Sequence, residues 1–406
     1  MTQPRISSPS ARARRTMALV VTLLTALPAC RESTSKPRPP TGADTVRAEL
    51  LSAAGTCVLT TAREFQTRAV ALEQAAQAYA AGPDASTRDA ARTAYGRAMD
   101  TWQQLEVMQV GPAAPRSQPG GGDVRDNIYS WPLINRCSIE EQVVSKGYES
   151  SGFNTTLVTR RGLFVLEYLF YYEGADTACG ASSPIVSSGS WAALSEAERE
   201  ARKRAYAGVL ATDVRARADE LVRAWDAGGG DFQRTLATAG SGNAVYPSTQ
   251  LGMNALSDAL FYVEGIVKDQ KLARPLGLRD CESSICPEAL ESPFARRTKA
   301  NLRANLEGFR RVFEGCGTNY EGVGFDDVLT AAGSEALATK MRERLVSAQA
   351  ALDAIQAPTL HEALEKDKAS VRTLYDRVKS VTDVLKTELV SVLDLELPST
   401  LEGDND

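Results

Sequence analysis

The chain has 406 residues, 43% of them hydrophobic, with 46 basic against 51 acidic side chains and a formal net charge of -5. That much apolar material can bury a full core, which excludes wholesale disorder. The slightly acidic balance lacks the basic footprint that phosphate neutralisation needs, so nucleic acid is excluded as an expected partner. Length alone leaves room for two or three domains.

The first element in chain order is an address. Arg12, Arg14 and Arg15 form a positive n-region, and Met17 to Leu27 is a short apolar run ending Leu27-Pro28-Ala29-Cys30. A helix that crosses a bilayer takes about 20 apolar residues, so residues 1–29 read as a signal peptide rather than a span. The ending resembles a bacterial lipobox, in which a small residue admits the signal peptidase and the cysteine is diacylated. Cys30 is therefore the expected lipidation site, and the membrane is a partner through that anchor. No aspartate follows Cys30, which by the lipoprotein sorting rule favours the outer membrane of the cell envelope. Residues 30–43 are polar and proline-rich, a composition that builds no core and reads as a tether.

Six cysteines remain: Cys57, Cys137, Cys179, Cys281, Cys286 and Cys316. An even number in an exported domain points to disulfides, with fifteen pairings open. Cys281 and Cys286 flank a short Glu-Ser-Ser-Ile loop and form the expected pair. Neither a CxxC spacing nor a histidine partner marks a structural zinc site.

From Asp44 the periodicity is helical nearly throughout. Phe65, Ala69, Leu72, Ala76 and Tyr79 recur at steps of three and four, as do Tyr95, Met99, Trp102 and Leu105. Ser195 and Glu198 have the spacing of a capping box, opening a stripe of Tyr206, Leu210, Val214, Ala218, Leu221 and Trp225. Further stripes run Met253 to Val267, Leu302 to Phe313 and Leu337 to Ile355. The last helix carries Val371, Leu374, Val378, Val381, Leu385, Leu389 and Val392. No segment alternates as a half-buried strand would. The fold class is all-α, with amphipathic helices burying their stripes against one another in bundles. Glycine-, proline- and serine-rich breaks at 115–123, 180–190 and 226–242 permit a 44–397 domain of two lobes, about 44–185 and 190–397. Residues 398–406 read as a disordered tail.

Several ordered fragments carry a family resemblance. Trp102-Gln103-Gln104-Leu105-Glu106 and Gly111-Pro112 precede Arg125-Asp126-Asn127-Ile128-Tyr129-Ser130-Trp131-Pro132. Gly162-Leu163-Phe164-Val165-Leu166-Glu167 follows, then Lys271-Leu272-Ala273-Arg274-Pro275-Leu276-Gly277 and Glu291-Ser292-Pro293-Phe294. In this order and spacing they resemble the imelysin family of envelope proteins, from about Asp44 to Leu397. The resemblance implies two pseudo-symmetric helical bundles with a site where they meet. It also implies a link to iron supply and, for some members, metallopeptidase activity.

The family marker is GxHxxE. Gly162 and Glu167 match its ends, whereas the histidine position holds Phe164. Residues three apart share a helix face, so the family's His and Glu can converge on one ion; a phenyl ring offers no lone pair. His361 is the only histidine, in the charged start of the last helix, and a two-histidine zinc site cannot be built. Glu167 sits among apolar neighbours and must pair, hydrogen-bond or take up a proton. A core acid paired with Arg125 or Lys271 is the plainer reading. If a cation binds, Glu167, Glu106 and Asp126 are its oxygen donors, which leaves iron, calcium or zinc as the metal ion. Arg125 beside the cleft would orient an anionic group, or else serve architecture together with Trp131 and Pro132. The expected function is non-catalytic binding of a metal ion, metal complex or polymer. The alternatives are a weak metallopeptidase-like hydrolase and a structural protein with a decayed site.

Overall fold

The computed structural model describes residues 42–398. The expected signal peptide, Cys30, nearly all of the tether and all but the first residue of the tail lie outside them. Helix α1 (Gly42–Ala81) runs 40 residues, or about 60 Å at 1.5 Å per residue. Its apolar stripe, Phe65 through Tyr79, is buried. Helix α2 (Ala85–Leu105) starts at a capping box in which Asp84 and Thr87 each accept the other's backbone N–H. Short helices α3 (Val124–Ile128) and α4 (Arg136–Ser145) lead to α5 (Gly162–Tyr171), and a single turn, α6 (Pro184–Ser187), falls at the glycine- and serine-rich break. Helix α7 (Glu196–Trp225) opens with the Ser195–Glu198 capping box that the sequence predicts.

After α8 (Phe232–Ala237) and α9 (Thr249–Leu260) comes a π-helical stretch, Val263–Ala273. Then follow α10 (Thr298–Glu314), α11 (Phe325–Ala331), α12 (Glu335–Ala354), α13 (Leu360–Lys366), α14 (Lys368–Val384), a π turn Leu385–Leu389 and α15 (Val390–Leu393). Among the described residues there is no strand, and no helix is long and apolar enough to cross a membrane. The fold is all-α, as the stripes require.

Helix α1 is the spine. It packs antiparallel to α7, where Gln66 donates to Asp219 and Gln77 to Thr212, and it also touches α2, α8, α9 and α11. Helix α2 packs on α10 so closely that a side chain at Gly308 would meet the Gln104 carbonyl at 2.6 Å. Each buried Leu, Val or Phe of these stripes contributes roughly 1.5–3 kcal/mol of transfer free energy.

Two stripes depart from plain 3.6-residue periodicity. In the stretch after α9 the hydrogen bonds run i to i+5, as from Arg274 N–H to the Asp269 carbonyl at 3.0 Å. Both Lys268 and Lys271 are buried in that wider turn. The π turn at Leu385–Leu389 shifts the last helix by one position. Val392, expected on the buried face, is 40% exposed, and Leu393 is buried in its place. His361 likewise stands apart from the last helix: Asp367 caps the start of α14 by accepting from Ser370 N–H, leaving His361 in α13 beside Glu365 at 3.3 Å.

Candidate functional site

Gly162 opens α5 with φ +82, a left-handed conformation that side chains resist, and a Cβ there would lie 2.5 Å from the Ile128 carbonyl oxygen. Glycine is required twice over. Gly162→Ala is expected to destabilise the protein by about 2–4 kcal/mol, read from urea unfolding midpoints. Three residues from Glu167, Phe164 is buried against Phe294 with ring centroids 6.2 Å apart. The position that would hold imidazole is a packed hydrophobic contact.

Glu167 is fully buried. Its Oε1 accepts the backbone N–H groups of Phe294 at 2.9 Å and Ala295 at 3.0 Å. Its Oε2 accepts the Ser292 hydroxyl at 2.9 Å and the Tyr95 hydroxyl at 3.3 Å. Both oxygens are thereby occupied. Burial pushes this carboxyl up to about 7, while the N–H groups of Ala295 and Phe294 and the Ser292 hydroxyl pull the other way. The expected pairing with Arg125 or Lys271 does not occur, because each of those cations belongs to a different acid.

Lys271 pairs with Glu291 at 2.9 Å, and both are fully buried. Glu291 Oε1 also accepts Gln103 Nε2 at 2.8 Å and the Tyr129 hydroxyl at 2.9 Å, and Oε2 accepts Asn301 Nδ2 at 2.9 Å. Lys271 donates onward to Gln103 Oε1 and Asn305 Oδ1, each at 2.8 Å. Burial lowers the Lys271 ammonium, and the charge of Glu291 opposes it. Glu167 has no cation of its own: burial is the main reason its carboxyl favours the proton, and the charge of nearby Glu291 adds to it. Of this network, sequence reasoning singled out Lys271, as a candidate partner of Glu167, and missed the roles of Gln103, Tyr129, Glu291, Asn301 and Asn305. Asn301 and Asn305 stand four apart on the buried face of α10, beside Leu302 and Leu306, and that pattern was the available signal.

Arg125 pairs with fully buried Glu106 at 2.8 Å and with Asp126 at 3.0 Å, and it donates to the Trp131 carbonyl at 2.7 Å. Burial alone would lower Arg125, but the carboxylate of Glu106 outweighs it and holds the guanidinium charged. Trp131 is buried and joined to Pro132 by a cis peptide bond. Arg125 therefore fastens α2 to the turn that carries Trp131. Above this pair opens a cleft of about 190 Å³ lined by Gln109, Asp123, Arg125, Asp126, Tyr262 and Ile266. Glu106, Arg125 and Asp126 come together; Glu167 lies in the other network. Among the described residues these three acids do not gather their oxygens at one point. With phenylalanine at 164 and both oxygens of Glu167 taken, the 162–167 turn does not fit a bound metal.

The cysteines form three disulfides, Cys57–Cys316, Cys137–Cys179 and Cys281–Cys286, the last being the expected pair.

Comparison with known proteins agrees with this architecture. The family model described as Imelysin (peptidase M75) matches residues 58–387. The iron-regulated protein A of Synechococcus elongatus is 24% identical over 328 residues, covering 80% of each chain. An imelysin-like protein from Psychrobacter arcticum superposes with a TM-score of 0.66 at 17% identity, covering 88% of this chain and 98% of that one. A protein assigned as an iron-regulated protein A precursor, from Parabacteroides distasonis, gives 0.67 at 14% identity over 88% and 97%. With the family model spanning residues 58–387 and α5 opening at Gly162 with Glu167 in its middle, the chain belongs to the imelysin family.

Proposed function

We propose that this protein is a non-catalytic, lipid-anchored binding component of the cell envelope, serving iron or metal acquisition from the outer membrane. The Leu27-Pro28-Ala29-Cys30 ending and the tether after it support the anchor, and the iron-regulated name of the Synechococcus relative supports the setting. One observation carries the non-catalytic reading. The acid of the family motif spends both oxygens on four protein donors, and its histidine partner is a packed phenyl ring. A metal-activated water needs an open ligand position on a held ion, and this turn offers neither. Glu167 acts as a clamp between α5 and the 291–295 loop. A ligand, whether metal ion, metal complex or polymer, is received at the open cleft beside Arg125 and Asp126.

Glu167→Gln separates the readings. A carboxyl near 7 in the folded protein, against an ordinary 4.5, binds its proton more tightly when folded. Its contribution to stability is complete below the ordinary value and is lost as pH rises through about 7. Glutamine keeps an acceptor for the two N–H groups and can donate to Ser292 and Tyr95. The variant is therefore expected to match the parent near pH 4.5 and to exceed it by about 3 kcal/mol at pH 8, in urea unfolding. Metal content by elemental analysis of the detergent-solubilised protein stays unchanged. Loss of stoichiometric metal in the variant, or chelator-sensitive proteolysis that the variant abolishes, would overturn the proposal.

A further inference from the structure

Cys137 and Glu141 stand one turn apart on α4, so their side chains leave the same helix face. Cys179 reaches that face from the segment after α5 as the disulfide partner of Cys137. Among the described residues, Cys137, Glu141 and Cys179 form the one group of three or more His, Cys, Asp and Glu side chains whose ligand atoms lie within 4.8 Å of one another. Glu141 Oε1 faces the Cys137 sulfur at 3.9 Å, and Oε2 turns to Arg160 at 3.4 Å. The Ser183 hydroxyl sits beside both, 3.3 Å from Glu141 Oε1 and 4.0 Å from the sulfur.

The segment carrying Cys179 is fastened independently of the sulfur–sulfur bond. Buried Glu140 accepts the Thr177 hydroxyl at 2.6 Å and the Ala178 N–H at 2.9 Å. Arg136 donates to the Asp176 carbonyl, and Trp191 Nε1 to the Ala175 carbonyl, each at 3.0 Å. Opening the disulfide therefore leaves the two sulfurs held near each other, on a rigid helix and a pinned loop, with a carboxylate oxygen already aimed at them.

We propose that the reduced Cys137–Cys179 pair, together with Glu141, is a site for a thiophilic divalent metal ion such as zinc. Two thiolates and one carboxylate oxygen supply three tetrahedral positions, and water or the Ser183 hydroxyl supplies the fourth. Disulfide and metal are mutually exclusive occupants. The step from one to the other takes two electrons from a thiol or phosphine reductant. The sulfur–sulfur bond breaks and two protons make two thiols. The reductant becomes a disulfide, or a phosphine oxide with oxygen taken from water. Metal entry then releases both thiol protons to solvent.

The test uses full-length protein in detergent, reduced with a phosphine and titrated with zinc against a chromophoric chelator; cobalt serves as the spectroscopic probe. The expected result is one zinc per reduced chain, none at this site in the oxidised protein, and a cobalt–thiolate absorption band. Cys281→Ser/Cys286→Ser keeps the zinc, Cys137→Ser/Cys179→Ser loses it, and Glu141→Gln weakens binding roughly tenfold or more. Circular dichroism and gel filtration establish that each form is folded. The proposal is overturned by any of four results: no zinc in the reduced chain, zinc retained without Cys137 and Cys179, unaltered affinity in Glu141→Gln, or unfolding on reduction.

Discussion

Lys271→Met is expected to cost about 3–5 kcal/mol of stability. The ammonium is fully buried and neutralises Glu291 at 2.9 Å, while also donating to Gln103 and Asn305. Methionine fills much of the volume, so the loss is electrostatic rather than a cavity. Glu291 is left as a buried charge, with Glu167 nearby and no buried cation between them. Glu291→Gln alone leaves Lys271 in the converse position and is expected to be nearly as harmful. The double variant Lys271→Met/Glu291→Gln removes both charges and should be less destabilised than the sum of the singles by about 1–3 kcal/mol. Urea unfolding of all four proteins at one pH measures that coupling, and strict additivity would mean that the pair is not a unit.

The second large effect is covalent. Cys57–Cys316 joins positions 259 residues apart, tying α1 to the loop after α10. On the chain-entropy account, a loop of that length restrains the unfolded chain by about 5.5 kcal/mol, against about 2 kcal/mol for Cys281–Cys286 with a separation of 5. Replacing Cys57 and Cys316 by alanine should therefore lower the unfolding midpoint well below that of the Cys281→Ala/Cys286→Ala protein. The reverse order would show that native contacts, not loop length, set the contribution of each bridge.

The helical architecture was legible because stripes such as Phe65 to Tyr79 are dictated by a repeat of about 3.6 residues, and buried side chains must obey it. Val263 and Val267 stay on the buried face through the first widened stretch, but legibility ends at the second. Val392 falls outside because the π turn before it inserts a register shift that no residue type announces. The site divides in the same way. Gly162, Phe164 and Glu167 are local, and their spacing on one helix makes the missing imidazole visible in the sequence. The Glu291 network is not local: Gln103 meets Glu291 across 188 positions and Tyr129 meets it across 162. The long-range bridge Cys57–Cys316 is of the same kind, one of many pairings until the helices are folded.

The grip of Glu167 on Phe294 and Ala295 falls on main-chain hydrogens, which every residue except proline supplies. Side chains at 294 and 295 can therefore change without loosening it, whereas position 167 must keep an oxygen acceptor at the end of a side chain of this length. The glutamate is therefore accounted for by the fold without any ligand, and the residue three positions earlier, Phe164, is the one that bears on metal chemistry.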